Sequence, residues 1–380
     1  MKKSLLLLCA TLSCSLAFAQ GAELEDENNR VLIIPRVELN PTFSGGASRY
    51  TGQKLGLGGS SLYTLFEGDF NKSDFSYSIQ GHWLTSDLEE TRDLYTDLFN
   101  PQGMSFIDWA YLTYSPGNFE ISLGKQPMAV GGYEIDAYDF DSYACLSSTM
   151  WNNFQLYQYA LGVGYNFQDE SNLTLQMSVT PHSNTAFVGT KSAPALYAWN
   201  AKWTAEHGCW APIWSYSLSQ RYKWDEEGAE DGVGPAIHMF ALGNKFSFGN
   251  FDFIVDYTHR FTRHEGAMVN EGTAVSSLSY NLNDKFLFTL KGGYEFNKGG
   301  MDILGYESEE GDEFVAHVPT SLAACGDKGY AFGGARIEFF PLKESQDLRI
   351  HALAGMNTWT KTPFLSVGVT YNFNLLKYLR

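Results

Sequence analysis

The sequence predicts an all-β protein, a closed transmembrane antiparallel β-barrel of about 16 strands with long extracellular loops and short periplasmic turns. Three observations predict it: side chains alternate with period two in segment after segment, the linkers alternate between two kinds, and aromatics are abundant while charge is scarce.

The alternation is explicit. Phe75, Tyr77, Ile79 and Trp83 share one face of a run whose other face carries Ser76, Ser78, Gln80 and His82. The pattern returns at Leu173, Leu175, Met177 and Val179, at Phe251, Phe253, Val255, Tyr257, His259 and Phe261, and at Leu365, Val367, Val369, Tyr371 and Phe373. Each run has about the 9–11 residues that a tilted strand needs to cross a bilayer. Sixteen such segments lie near residues 31–43, 60–70, 73–85, 105–115, 118–126, 155–167, 171–180, 194–206, 209–222, 236–248, 250–263, 272–282, 284–296, 329–340, 347–356 and 363–373.

The linkers carry the topology. Asn71-Lys72, Pro116-Gly117, residues 168–170 and 206–208, Gly249, Asn283 and residues 341–346 are short; 86–104, 127–154, 223–235 and 297–328 are long and irregular. An even-stranded barrel with both termini in the periplasm requires eight outer loops and seven inner turns, the loops being the longer set.

Composition agrees. Aromatics make up 15% of the 380 residues and charged residues only 18%, below the quarter or so usual in soluble domains. The mean hydropathy of −0.23 fits a wall in which apolar and polar positions cancel. A soluble sandwich would also alternate, but sixteen continuous apolar faces in water would demand two thick cores and covered edges; closing the sheet in lipid removes the edges. Trp83, Trp109, Tyr114, Tyr165, Trp199, Trp203, Trp214, Tyr257, Tyr294 and Tyr371 supply rings for interfacial belts, with Tyr114 open to a lumenal placement instead.

Residues 1–19 read as a secretory signal peptide, with Lys2 and Lys3 ahead of the apolar stretch from Leu5 to Leu16 and the small-residue site Ala17-Phe18-Ala19. Thr11-Leu12-Ser13 fits poorly as the box that a lipid-accepting Cys14 would need. Residues 20–30 form a short acidic lead-in, and residues 31–380 the barrel, with an inward-folding loop near 127–154. The expected location is the outer membrane, reached through the secretory pathway.

The net charge of −17 becomes −19 once Lys2 and Lys3 are removed. That excludes nucleic acid as a partner, because phosphate binding needs basic surface. Outer-membrane lipid and lipopolysaccharide are the expected surroundings. Cys145, Cys209 and Cys325 remain after processing; Cys145 and Cys325 fall in two outer loops and form a candidate disulfide. No CxxC or Cys/His cluster has metal spacing, no catalytic motif surrounds His82, His182, His259, His264 or His317, and no cofactor is expected.

If the apolar parity meets lipid, the other lines a lumen. Arg36, Lys202, Arg221, Lys245, Arg260, Lys291, Arg336 and Arg349 fall on it as a basic wall, accompanied by Glu67, Asp69, Asp108, Asp252, Asp256 and Glu338. At the lipid midplane an Arg or Lys would cost about 2–4 kcal/mol. The long linker after the fifth strand holds Glu134, Asp136, Asp139 and Asp141, a spacing that lacks the EF-hand pattern. Folded inward, these acids would oppose the basic wall across a narrow gap and set up a transverse field; the alternative is a solvated surface loop.

The long–short alternation, together with Leu123-Gly-Lys125-Gln-Pro127 leading into Gly131-Gly-Tyr133-Glu134, resembles the trimeric outer-membrane porins of Gram-negative bacteria, and among them the phosphate-selective porin O/P family. The resemblance implies a homotrimer in which each barrel passes small polar solutes and ions by passive diffusion, with the third outer loop as a constriction. In that family wall and loop cations bind phosphate. Here no Lys stands between Gln126 and Phe154, so phosphate selectivity is not implied, and the acidic clusters at residues 225–231 and 307–313 point to weak cation preference. An adhesin or receptor role, and more remotely a barrel hydrolase, are the alternatives.

Overall fold

The computed structural model describes residues 29–41, 55–56, 61–70, 73–84, 107–136, 146, 148–152, 154, 156–180, 195–221, 233–264, 266–299, 322, 325, 329–342, 345–359, 361 and 363–379. The expected signal peptide, both acidic loop clusters, Asp139, Asp141 and Cys145 lie outside these residues, as does the side chain of Asp136.

Sixteen strands build one sheet: β1 Arg30–Pro41, β2 Ser61–Asp69, β3 Phe75–Leu84, β4 Ile107–Tyr114, β5 Phe119–Pro127, β6 Tyr157–Asn166, β7 Asn172–Val179, β8 Tyr197–Thr204, β9 Trp210–Ser219, β10 Ile237–Phe248, β11 Phe251–His264, β12 Ala267–Asn283, β13 Phe286–Lys298, β14 Tyr330–Phe339, β15 Leu348–Asn357 and β16 Phe364–Tyr371. Each pairs antiparallel with its chain neighbours. Closure is visible at a single residue, because Arg36 of β1 pairs with Ser61 of β2 on one side and Thr370 of β16 on the other. Leu55–Gly56 and Phe373–Asn374 add two-residue pairings to β1 at this seam, extending the sheet without crossing it. All edges are thereby paired, as a spanning sheet requires.

Burial is inverted relative to a soluble protein. Leu123, Leu175 and Leu290 are 64%, 54% and 59% exposed, while Arg36, Asp256, Arg260 and Glu295 on the opposite parity are buried. One end of the outer face carries ring pairs beside the short turns: Phe75 and Phe251 stack on Tyr114 and Tyr280 at 4.6 and 4.5 Å, Phe119 meets Tyr165 edge-on at 4.9 Å, and Trp203 is tilted against Trp214 at 5.1 Å. Tyr114 therefore belongs to the outer belt, and the lumenal option for it falls away. Amphipathic rings at that height suit a headgroup layer.

The turns are locally encoded. Ser171 donates through its backbone N–H and its hydroxyl to Asp169 Oδ1, the hydroxyl at 2.6 Å, which holds the Asp169 carboxyl below its ordinary range. Two turns differ from expectation by a residue: Gly249 shares its turn with Asn250, and the chain reverses at Asp284-Lys285 rather than at Asn283. A larger correction concerns residues 264–271, expected as one of eight long loops. Here β11 and β12 run on as a hairpin of 14 and 17 residues, with Gly266 in its turn at φ +81°. Arg260 and Glu271 are paired across the extension, so the period-two pattern continues where polar residues suggested a loop.

Candidate pore constriction and lumen wall

The chain leaving β5 turns back against the inner wall. Gln176 of β7 accepts the Ala129 N–H at 2.8 Å through Oε1 and donates to the Pro127 carbonyl at 2.9 Å. Ser215 of β9 donates to the Gly131 carbonyl at 3.0 Å, and Tyr133 donates its hydroxyl to Ala211. Asp256 of β11 accepts the Glu134 N–H at 2.6 Å. Between these points the backbone lies directly on Gly243 of β10, where a Cβ would stand 2.8 Å from the Tyr133 nitrogen. A single helical turn, α1 Tyr133–Asp136, follows.

The returning limb is fixed by acids. Glu295 of β13 accepts from the N–H groups of Thr149 and Met150 at 2.7 and 3.2 Å, the first turn of α2 Thr149–Asn152, and Glu134 accepts from Ser148 N–H at 2.8 Å. The first N–H groups of a helix have no partner within it, and the Glu295 carboxyl satisfies two of them. Lys291 completes the arrangement with a 3.3 Å ion pair to Glu134, both side chains 5% exposed or less.

Apolar contacts seat the same limbs. Met128, Val130 and Trp151 cluster with Ala198 of β8 and Met239 of β10, with Ile135, Phe154 and Leu156 at the margin. Leu146 packs with Val275, Tyr330, Phe332, Leu353 and Phe364 of the inner wall, and Cys325 lies against this cluster. The inner face is thus apolar in two patches beneath the loop and polar between them. Loop contacts run from Gln176 on β7 to Phe364 on β16, more than half of the circumference.

The eight predicted wall cations divide by partner. Arg36 pairs with Glu38 at 3.1 Å, and His351 and Ser366 also reach Glu38. Arg336 and Arg349 converge on Glu338 at 2.8 and 3.6 Å, Arg260 pairs with Glu271 at 2.6 Å, and Lys245 with Asp252 at 3.4 Å. Arg221 donates to the Arg263 carbonyl, and Lys202 lines a lumenal cavity. Of the four expected loop acids, Glu134 does not face the wall across a gap but touches it through Lys291. Wall acids, in turn, bind the loop backbone, a polarity opposite to the expected one. Glu295, Glu38 and Glu271 were missed; alternation alone places Glu295 inward beside the outward Tyr294, but it does not reveal a backbone partner about 145 residues away.

A closed sixteen-stranded barrel, apolar outside and charged within, with a loop folded on its inner wall, defines a porin-type channel fold. Solved structures agree. The anion-selective porin from Comamonas acidovorans matches with a TM-score of 0.59 at 11% identity, over 91% of this chain and 100% of that one. The outer membrane channel DcaP of Acinetobacter baumannii matches at 0.56 and 12%, over 91% and 97%. OmpT, an outer membrane protein of Vibrio cholerae in trimer form, matches at 0.54 and 12%, over 91% and 99%. No protein-family model matches the chain, and no curated protein matches it.

Proposed function

We propose that this chain is an outer-membrane porin that passes small hydrophilic solutes and ions by passive diffusion, its lumen narrowed by residues 127–136 and 148–152. The inversion of burial carries the reading. On β13, Leu290 is 59% exposed while its neighbour Lys291 is 7% exposed, and the same contrast repeats around the ring. Hydrocarbon is the solvent in which such an exterior is stable, and a closed sheet leaves no backbone group unpaired there.

Weak cation preference follows from charge balance. Six of the predicted wall cations are paired with acids at 4 Å or less, and the full chain carries a net −17 (−19 without Lys2 and Lys3), with acids grouped in sequence at residues 225–231 and 307–313. The Comamonas porin is anion-selective, but likeness of fold at 11% identity does not carry the sign. Homotrimer formation, export through the secretory pathway and surrounding lipopolysaccharide belong to the same reading, the trimer being the form in which OmpT of Vibrio cholerae was solved. The likeness to the porin O/P family rests on Leu123 to Glu134 and extends to the inward loop, not to phosphate. A Cys145–Cys325 disulfide completes the reading: Cys325 packs against the cluster containing Leu146, the chain neighbour of Cys145.

Reconstitution in a planar bilayer tests this. Discrete open-channel steps with a cation-signed reversal potential in a KCl gradient are expected. A folded barrel without steps overturns the channel, and an anion-signed potential overturns the selectivity.

A further inference from the structure

We propose that the turn-end half of the lumen carries a subsite for small uncharged polyhydroxylated solutes, sugars of one or two rings, against β4–β8 and beneath the start of the inward-folded loop. The inference rests on the porin reading and names a solute class for it.

β6 leaves room for the subsite. Its inward positions Ala160, Gly162 and Gly164 carry nothing longer than a methyl group; the Ser122 hydroxyl of β5 lies over Gly162, and Gly164 lines the open space directly. Along this trough lies a cavity of about 330 Å³, roofed by Pro127, Met128 and Ala129. That volume falls at the small end of the roughly 300–1,000 Å³ of small-molecule sites, which sets the size of the guest. The roof is fixed to the wall it covers, since Gln176 holds both Pro127 and Ala129 and is itself bonded by Asn200 at 3.0 Å. A pre-formed site spends little ordering entropy on its ligand.

The lining chemistry selects hydroxyl groups. Thr113, Ser122, Thr174 and Thr204 place alcohols on the cavity from four strands; an alcohol can donate and accept, and Thr174, which donates to Asn172 Oδ1 at 2.8 Å, keeps its acceptor side. Such groups exchange bonds with a sugar as readily as with water. Tyr111 adds a flat ring against which a sugar's C–H face can rest. Two charges are present, and they cancel: Glu120 and Lys202 end one register row, Glu120–Gly164–Thr174–Lys202. Three strand spacings of about 4.8 Å separate them, and Glu120 is occupied by the Asn166 amide at 2.9 Å. The contrast is with β1 and β14–β15, where Arg36, Arg336 and Arg349 gather. A charged solute gains nothing from the neutral side, whereas a hydroxylated one does.

The test adds a hexose or disaccharide to the purified protein conducting KCl in a planar bilayer. Expected is a saturable block of the current beyond that of a matched-viscosity solution of a polymer too large to enter. The double variant Ser122→Ala/Thr174→Val, or Thr204→Val alone, should raise the half-blocking concentration at least fivefold, while Leu175→Ala on the lipid face blocks as the unmodified chain does. Sugar that lowers the current no further than the polymer control overturns the proposal. So does tighter block by zwitterionic amino acids or dicarboxylates than by sugars. Absence of steps in salt alone overturns the porin reading itself and is seen before any sugar is added.

Discussion

Lys291 shows how one residue can carry the seat of a loop. Its ammonium is paired with Glu134 at the root of the inward segment, and Glu295 on the same strand and Asp256 on β11 bind the backbone around it. Removing one member of a buried pair leaves the other charge unsolvated, a cost of about 3–5 kcal/mol. Lys291→Met is therefore expected to free residues 127–136 and 148–152 while the barrel stays folded, seen as larger and noisier unit currents and as protease cleavage within these segments. Glu295→Gln keeps the shape but only one of the two acceptor oxygens that Thr149 and Met150 use, a loss of about 1–2 kcal/mol, so its currents should fall between those of the two other chains. Quiet, protease-resistant Lys291→Met channels would remove the ion pair from the account. Period-two alternation made Lys291 and Glu134 legible as inward or loop charges. It assigns a side of the wall, never a partner, and so the contact between them was expected as a gap.

At the scale of elements, strands were readable and their seats were not. β5, β7 and β16 fall within two residues of their expected limits because each residue's environment depends on its own position in the pleat. The β11–β12 hairpin was misread because its extension turns polar residues such as Asn270 and Glu271 toward partners on the adjacent strand, a relation that a local window does not contain. The loop's docking surface was likewise invisible, being a backbone laid on a glycine. Gly243→Val would drive a methyl group into the Tyr133 amide, so it is expected to lift residues 131–134 and mimic Lys291→Met in conductance without altering charge; unchanged conductance would show that the loop is held elsewhere. On the returning side, burial pushes the Cys325 thiol up to about 11, so a reduced Cys325 stays protonated and sluggish at neutral pH. Thiols must therefore be counted after denaturation: the oxidised mature protein should yield one, from Cys209, and a count of three removes the disulfide.

For the whole molecule, the decisive property is that two adjacent side chains face different solvents. Thr174 and Leu175 are consecutive on β7; the first lines the lumenal cavity, and the second is 54% exposed on the outer face. An arginine at the outer position must sit in hydrocarbon, at about 2–4 kcal/mol near the midplane, whereas an arginine one residue earlier meets water and nearby Glu120. Leu175→Arg should consequently fold in detergent yet insert poorly into liposomes, as judged by the loss of the heat-sensitive mobility shift of the inserted barrel. Thr174→Arg should insert as the unmodified chain does but conduct less, with its reversal potential displaced toward anions. A soluble barrel would reverse this ranking, because there an arginine on the exposed face is harmless and one in the interior is not. Equal insertion of the two variants would mean that the outer surface does not meet lipid, and no arrangement of the lumen would then rescue a channel.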